Sequence, residues 1–181
     1  MSRFKFATVA LAVALGASPP AMSAESWVRE VRGGVLAHDV PDLWSGFSVE
    51  DASVAINIEA LLEPNIPFLG GAIRPALGAS IAAGDGTSSA YIDARWEIEC
   101  SAGIFFDIGL GAAVHNGQTE LIDLDQKALG SRVLFHIPAE IGYRLDDHNA
   151  VSIYFEHMSN ANTADVNEGL DRLGVRYGYR F

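Results

Sequence analysis

A single cysteine, Cys100, is all the thiol this chain carries, which excludes an intramolecular disulfide, and no neighbouring ligand types give it zinc spacing. Positive charge is scarce as well. Twelve Lys and Arg stand against 23 Asp and Glu, a formal net charge of -11. That is the wrong sign for a phosphate-binding surface, so nucleic acid is not an expected partner. Beyond the N-terminus no apolar run approaches the roughly 18 residues that a membrane-spanning helix needs, and no long helical periodicity is present.

Short apolar segments are there instead. Arg3 and Lys5 precede the run Phe6 to Ala17, followed by Pro19, Pro20 and small residues to Ala24. This has the form of a secretory signal peptide, residues 1–24, whose removal leaves a domain of residues 25–181. Its loss takes away two positive charges and no acid, moving the net charge from -11 to about -13. The exported remainder holds eight candidate strands: Trp27 to His38, Ala52 to Leu62, Ile73 to Gly84, Ser88 to Cys100, Gly103 to Val114, Ser131 to Leu145, Ala150 to Ser159 and Leu170 to Phe181.

Several of them alternate with period two. Ile92, Ala94, Trp96 and Ile98 interleave with Asp93, Arg95, Glu97 and Glu99, and Val133, Phe135, Ile137, Ala139 and Ile141 oppose Arg132, His136, Glu140 and Arg144. The charged face reads either as a solvated sheet surface or as the inside of a membrane barrel. Export and segment lengths of about 10 to 14 residues favour the second, whose apolar face meets lipid and whose lumen is polar. The expected fold is therefore all-β: an eight-stranded antiparallel transmembrane β-barrel of the outer membrane. A lumen that narrow admits only side chains. Arg74, Asp93, Arg95, Glu97, Asp107, Arg132, Glu140, Arg144, Glu156, Arg172, Arg176 and Arg180 are the expected paired charges of its interior.

With both termini in the periplasm, the odd-numbered links face outward, among them His38 to Asp51, Asn116 to Gly130 and Asn160 to Gly169. The intervening links are shorter, Glu63 to Ala72 excepted, and this asymmetry is usual for barrels. The ending Tyr177-Gly178-Tyr179-Arg180-Phe181 resembles the C-terminal signal of bacterial outer-membrane barrels, which implies the barrel-assembly machinery as a partner through Phe181.

Two strand faces end in chemistry. Val151, Ile153, Phe155, His157 and Ser159 share one face, and Asp171, Leu173, Val175, Tyr177, Tyr179 and Phe181 share another. All three polar groups are expected at the outer end on the lipid side. Ser159 as nucleophile needs a base, which His157 supplies; Asp171 on the next strand fixes the imidazole tautomer. Asn160 is a candidate oxyanion donor and Asn167 a second. The bland alternative is that these are ordinary polar residues at a membrane interface.

The residues His157-Met158-Ser159-Asn160-Ala161 and Asn167-Glu168-Gly169-Leu170-Asp171 resemble the PagL family of lipid A 3-O-deacylases, most strongly from Phe155 to Phe181. The resemblance implies an outer-membrane serine esterase that removes the 3-O-linked acyl chain of lipid A, with lipopolysaccharide as substrate, His157 as base, Ser159 as nucleophile and Asp171 as acid. In the family's best-known form the acid is glutamate. The shorter Asp171 is thus expected to need a backbone adjustment, or to act through a less direct contact.

An acyl-enzyme route calls for no cofactor. No metal site is expected either, since His38, His115, His136 and His148 lack ligand spacing. Trp27, Trp44 and Trp96 read as interface aromatics. Acids in the outer loops, Asp39, Asp42, Glu50, Asp51, Glu120, Asp123 and Asp125, are expected to repel lipid A phosphates unless divalent cations bridge them. Oligomeric state is silent. Two other readings stand beside the esterase: a non-catalytic structural or adhesive barrel, and a secreted soluble barrel with an apolar ligand.

Overall fold

Alternation of apolar and polar residues builds nearly all of this molecule. The computed structural model describes residues 27–52 and 54–181, so the expected signal peptide lies outside the described residues. Among the described residues nine strands occur: β1 (Val28–Ala37), β2 (Val54–Leu62), β3 (Ile66–Phe68), β4 (Gly71–Ala82), β5 (Ser89–Glu99), β6 (Ile104–His115), β7 (Val133–Arg144), β8 (Asn149–Ser159) and β9 (Leu170–Arg180). Each pairs antiparallel with its neighbours, β1 joins both β2 and β9, and β2 joins β4. Eight strands thereby close into the expected barrel, and no long strand is left with an open edge.

The three-residue β3 is the exception. It lies outside the ring, pairs only with the start of β4, and fills the inner link whose length stood out in the sequence. The turn between them is reached through Leu69 and Gly70, both at positive φ.

The barrel is inside out relative to a soluble protein. Ile56, Ile58, Ile92, Phe106, Ile108, Leu110, Ile141, Ile153 and Val175 face outward and are exposed. The interior is ionic. Arg32 donates to Glu30 (2.8 Å), Asp107 (3.0 Å), Glu140 (2.8 Å) and Glu97. Arg95 donates to Glu59 and Asp107, both at 2.6 Å, and Arg176 to Glu59 at 3.2 Å and to Glu140. The guanidinium of Arg176 also lies 3.6 Å from the centre of the Tyr154 ring. Buried charge persists only when paired and hydrogen-bonded in this way.

Two details depart from expectation. Arg132 is exposed one residue before β7 and donates to the carbonyl of Gly117 at 2.5 Å, so it belongs to the outer link and not to the lumen. Conversely, Glu30, Arg32 and Glu59 are buried interior charges. Gly33 and Gly34 interrupt the pattern of β1 and hide Arg32 from an alternation argument.

The links of residues 38–52, 116–132 and 160–169 all emerge at the end of the barrel where β8 finishes and β9 begins. Near this end Tyr91, Ala113, Leu129, Leu134, Met158 and Leu170 form a buried apolar cluster.

Candidate active site

Register decides the geometry of the site. On β8 and β9, His157 lies directly opposite Asp171, with Glu156 opposite Arg172 on the luminal side. Facing Cβ atoms of such a pair are only about 5 Å apart, which even an aspartate spans. His157 Nδ1 meets Asp171 Oδ1 at 2.6 Å. The short acid therefore makes a direct contact, contrary to the expectation of a less direct one.

An ionised carboxylate only accepts hydrogen bonds. Nδ1 thus carries the ring proton and donates it to Asp171, leaving Nε2 as a lone-pair acceptor without a hydrogen-bond partner among the described residues. Ser159 is the next residue on the same face, about 7 Å along the strand by Cα rise. It is half-buried, and its hydroxyl makes no hydrogen bond among the described residues. The structure joins His157 to Asp171 and places Ser159 beside them without a bond to the imidazole.

All three occupy the outward face, as expected, yet they are not left bare on it. His157 is only 4% exposed and Asp171 is fully buried. The cover comes from the β1–β2 link. Trp44 stacks on His157 with ring centres 4.4 Å apart and planes 9° from parallel. Ser45 donates twice to Asp171 Oδ2, from its backbone N–H at 2.6 Å and its hydroxyl at 3.0 Å. Val40 N–H donates to the Asp171 carbonyl at 3.0 Å.

That link is itself anchored. Asp39 Oδ2 accepts the N–H groups of Val49 (2.7 Å) and Glu50 (2.9 Å), which ties its two ends together. Glu50 contacts His38 Nε2 at 2.7 Å and accepts from the Thr87 N–H (2.7 Å) and hydroxyl (2.6 Å). Burial pushes the Glu50 carboxyl up, but the hydrogen bonds from His38 and Thr87 outweigh it and hold the group at about 2. Lys127 reaches the carbonyl of Phe47 at 2.5 Å and Asp39 Oδ1 at 3.5 Å. Asp39 and Glu50 are therefore internal struts, not surface charge that repels phosphate. Asp42, Asp51, Glu120, Asp123 and Asp125 do remain exposed. Among the described residues no group of three or more His, Cys, Asp or Glu is arranged to hold a metal.

The two asparagines separate in role. Asn160 Nδ2 donates to the carbonyls of Leu129 (2.9 Å) and Val166 (2.6 Å), and its backbone N–H donates to Asn167 Oδ1 at 3.0 Å. With both amide hydrogens committed, Asn160 is a tie between two outer links and has no side-chain donor left for an oxyanion. Among the described residues Asn167 Nδ2 makes one bond, to Asn162 Oδ1 at 3.1 Å, and keeps a second N–H without a partner.

Sequence reasoning missed Ser45 and, as a site residue, Trp44. They sit 126 and 113 positions from their partners, in a link without periodicity, and the only cue was an isolated Trp-Ser pair among turn residues.

Comparison with known proteins bears on the family and the fold. Residues 97–180 match the family described as Lipid A 3-O-deacylase (PagL). The chain is 30% identical over 117 residues to the lipid A deacylase PagL of Bordetella bronchiseptica, a match that covers 60% of this chain and 62% of that protein, so it spans less than two thirds of the relative's length. Its fold is similar to the crystal structure of the outer membrane enzyme PagL, with a TM-score of 0.61 at 20% identity, covering 84% of this chain and 99% of that one. The span Phe155 to Phe181, where the resemblance is strongest in the sequence, lies within this match but for its last residue, and over residues 97–180 the chain is similar to the lipid A 3-O-deacylase (PagL) family.

Proposed function

We propose that this protein is a serine esterase of the outer membrane that hydrolyses the 3-O-linked acyl chain of lipid A. The observation that carries the reading is the His157–Asp171 bond at 2.6 Å, which fixes an imidazole with an unprotonated Nε2 on the same outward face as Ser159. In the proposed route Nε2 takes the Ser159 proton while Oγ attacks the ester carbonyl carbon. The resulting imidazolium is stabilised by Asp171. Collapse of the tetrahedral intermediate passes that proton to the departing sugar 3-oxygen and leaves the acyl group on Ser159. Water, deprotonated by the same nitrogen, then frees the hydroxy-fatty acid and restores the serine. The free N–H of Asn167 supports it as the side-chain donor to the oxyanion.

An apolar exterior around an outer-end site suits a substrate that lies in the membrane and presents its ester at the polar boundary. The C-terminal aromatic ending supports delivery to the outer membrane by the barrel-assembly machinery through Phe181. The test uses purified protein with lipid A. Ser159→Ala and His157→Ala, each folded and inserted, are expected to release no hydroxy-fatty acid. Release by either variant at the rate of the unaltered protein rules the mechanism out. If the unaltered protein itself leaves the lipid unchanged, the non-catalytic barrel is the better reading.

A further inference from the structure

We propose that Trp44 and Ser45 of the β1–β2 link are positioning residues of the His157–Asp171 pair, so that the base is assembled only while this link is seated. The inference rests on the esterase reading above. It begins from the division of labour on one carboxylate. Oδ1 of Asp171 serves the imidazole, whereas both donors to Oδ2 come from Ser45. A carboxyl rotates about its terminal torsion in a broad, two-fold well. Two bonds to the second oxygen restrict that rotation and hold Oδ1 on Nδ1.

The same link controls the ring. Trp44 lies flat against His157, and its other side is open to the surroundings, with 61% of the residue exposed. It is thus a partition between the imidazole and the membrane. At the ring edge, Gly169 has a φ of +65° and passes so near that a Cβ there would stand 3.2 Å from His157 Cε1. An imidazolium formed against the Trp44 face gains a cation–π contact that the neutral ring lacks. The indole therefore favours the state His157 enters when it takes the serine proton.

Nothing in β8 or β9 makes these contacts. The seat of the link is built elsewhere, from the Asp39 bonds to Val49 and Glu50 N–H and from Lys127 on Phe47. Release of that seat would withdraw indole and hydroxyl together, and leave the carboxylate and imidazole with only each other.

The test is a double-mutant cycle. Ser45→Ala in the full-length protein, with barrel content verified by circular dichroism, is expected to lower kcat about tenfold, the weak end of the range for one hydrogen bond to a charged group. KM should stay the same and Ser45→Thr should restore the rate. In an Asp171→Ala background the same Ser45→Ala change is expected to cost nothing further, because the carboxylate it serves is gone. An equal loss in both backgrounds overturns the proposal, since Ser45 would then only shape the link. A second arm replaces Trp27 and Trp96 with Phe, so that Trp44 alone reports. Its emission is expected to change when His157→Gln removes the stacked imidazole; identical emission with and without His157 overturns the Trp44 half. If Ser159→Ala and His157→Ala are inactive while Ser45→Ala is fully active, the positioning inference fails and the esterase reading stands. If those two variants remain active, the esterase reading itself fails.

Discussion

Asp171→Asn is the substitution on which the site's geometry speaks most sharply, because Ser45 dictates how the new amide must sit. Asp171 Oδ2 accepts two donors from Ser45, one of them a backbone N–H that cannot rotate away, at 2.6 Å. An asparagine has one oxygen and one NH2. Turning the NH2 toward Ser45 sets donor against donor, so the oxygen goes there and the NH2 faces His157 Nδ1. Nδ1 must then accept, and the ring proton moves to Nε2, the atom the mechanism needs bare. A wrong tautomer of this kind costs about 10⁴ in kcat in the serine protease that defines the triad. That corresponds to about 5.5 kcal/mol of transition-state stabilisation at 1.36 kcal/mol per decade. We expect Asp171→Asn to lower kcat by roughly 10³ to 10⁴. Asp171→Ala should lose less, because it leaves the ring free to adopt either tautomer. The assay is hydroxy-fatty acid release from lipid A in detergent micelles under saturating substrate. An Asp171→Asn enzyme with a tenth or more of the normal kcat, or one more active than Asp171→Ala, refutes the reasoning.

Other perturbations probe the support around the site. Arg32 donates to four buried carboxylates, so Arg32→Met should destabilise the barrel by about 3–5 kcal/mol in urea unfolding from vesicles; a change below about 1 kcal/mol would show that the remaining arginines compensate. Glu50 is held at about 2 in the folded protein, below the ordinary 4.5 of an unfolded chain. Its contribution is complete above 4.5 and is lost as pH falls from 4.5 toward 2. Urea midpoints between pH 7 and pH 3 should therefore fall less steeply for Glu50→Gln than for the unaltered protein. Gly130 has a φ of +75°, and a Cβ there would meet the Val166 carbonyl at 2.0 Å and Asn160 Nδ2 at 2.3 Å. Gly130→Ala is expected to displace the β8–β9 link and cut activity several-fold while circular dichroism stays barrel-like; normal activity would separate that link from the site.

Strand positions were legible because period two is imposed by the barrel wall itself, with an apolar surface on one side and paired charge on the other. β6 shows it plainly: Phe106 and Ile108 outside, Phe105 and Asp107 inside. Where alternation gave way, the reading failed. Arg132 shares the parity of the luminal residues of β7, but it precedes the strand's first residue and parity means nothing in a link. Arg32 was hidden by its two glycine neighbours. Asp171 was found by its place on the face, yet the directness of its contact depended on register, which only strand pairing fixes. Asn160 was read from adjacency to Ser159, whereas its amide is consumed by carbonyls 6 and 31 positions away. Trp44 and Ser45 reach the site through the tertiary fold of a long link, and no local pattern encodes such a contact.

The central claim is that Ser159, served by His157, removes an acyl chain from lipid A. Mass spectrometry of lipid A taken from membranes that hold either the unaltered protein or Ser159→Ala measures it most directly. The account predicts lipid A lighter by one hydroxyacyl group with the unaltered protein, and full-length lipid A with the variant. Identical spectra from the two membranes, each shown to contain folded barrel, would contradict it.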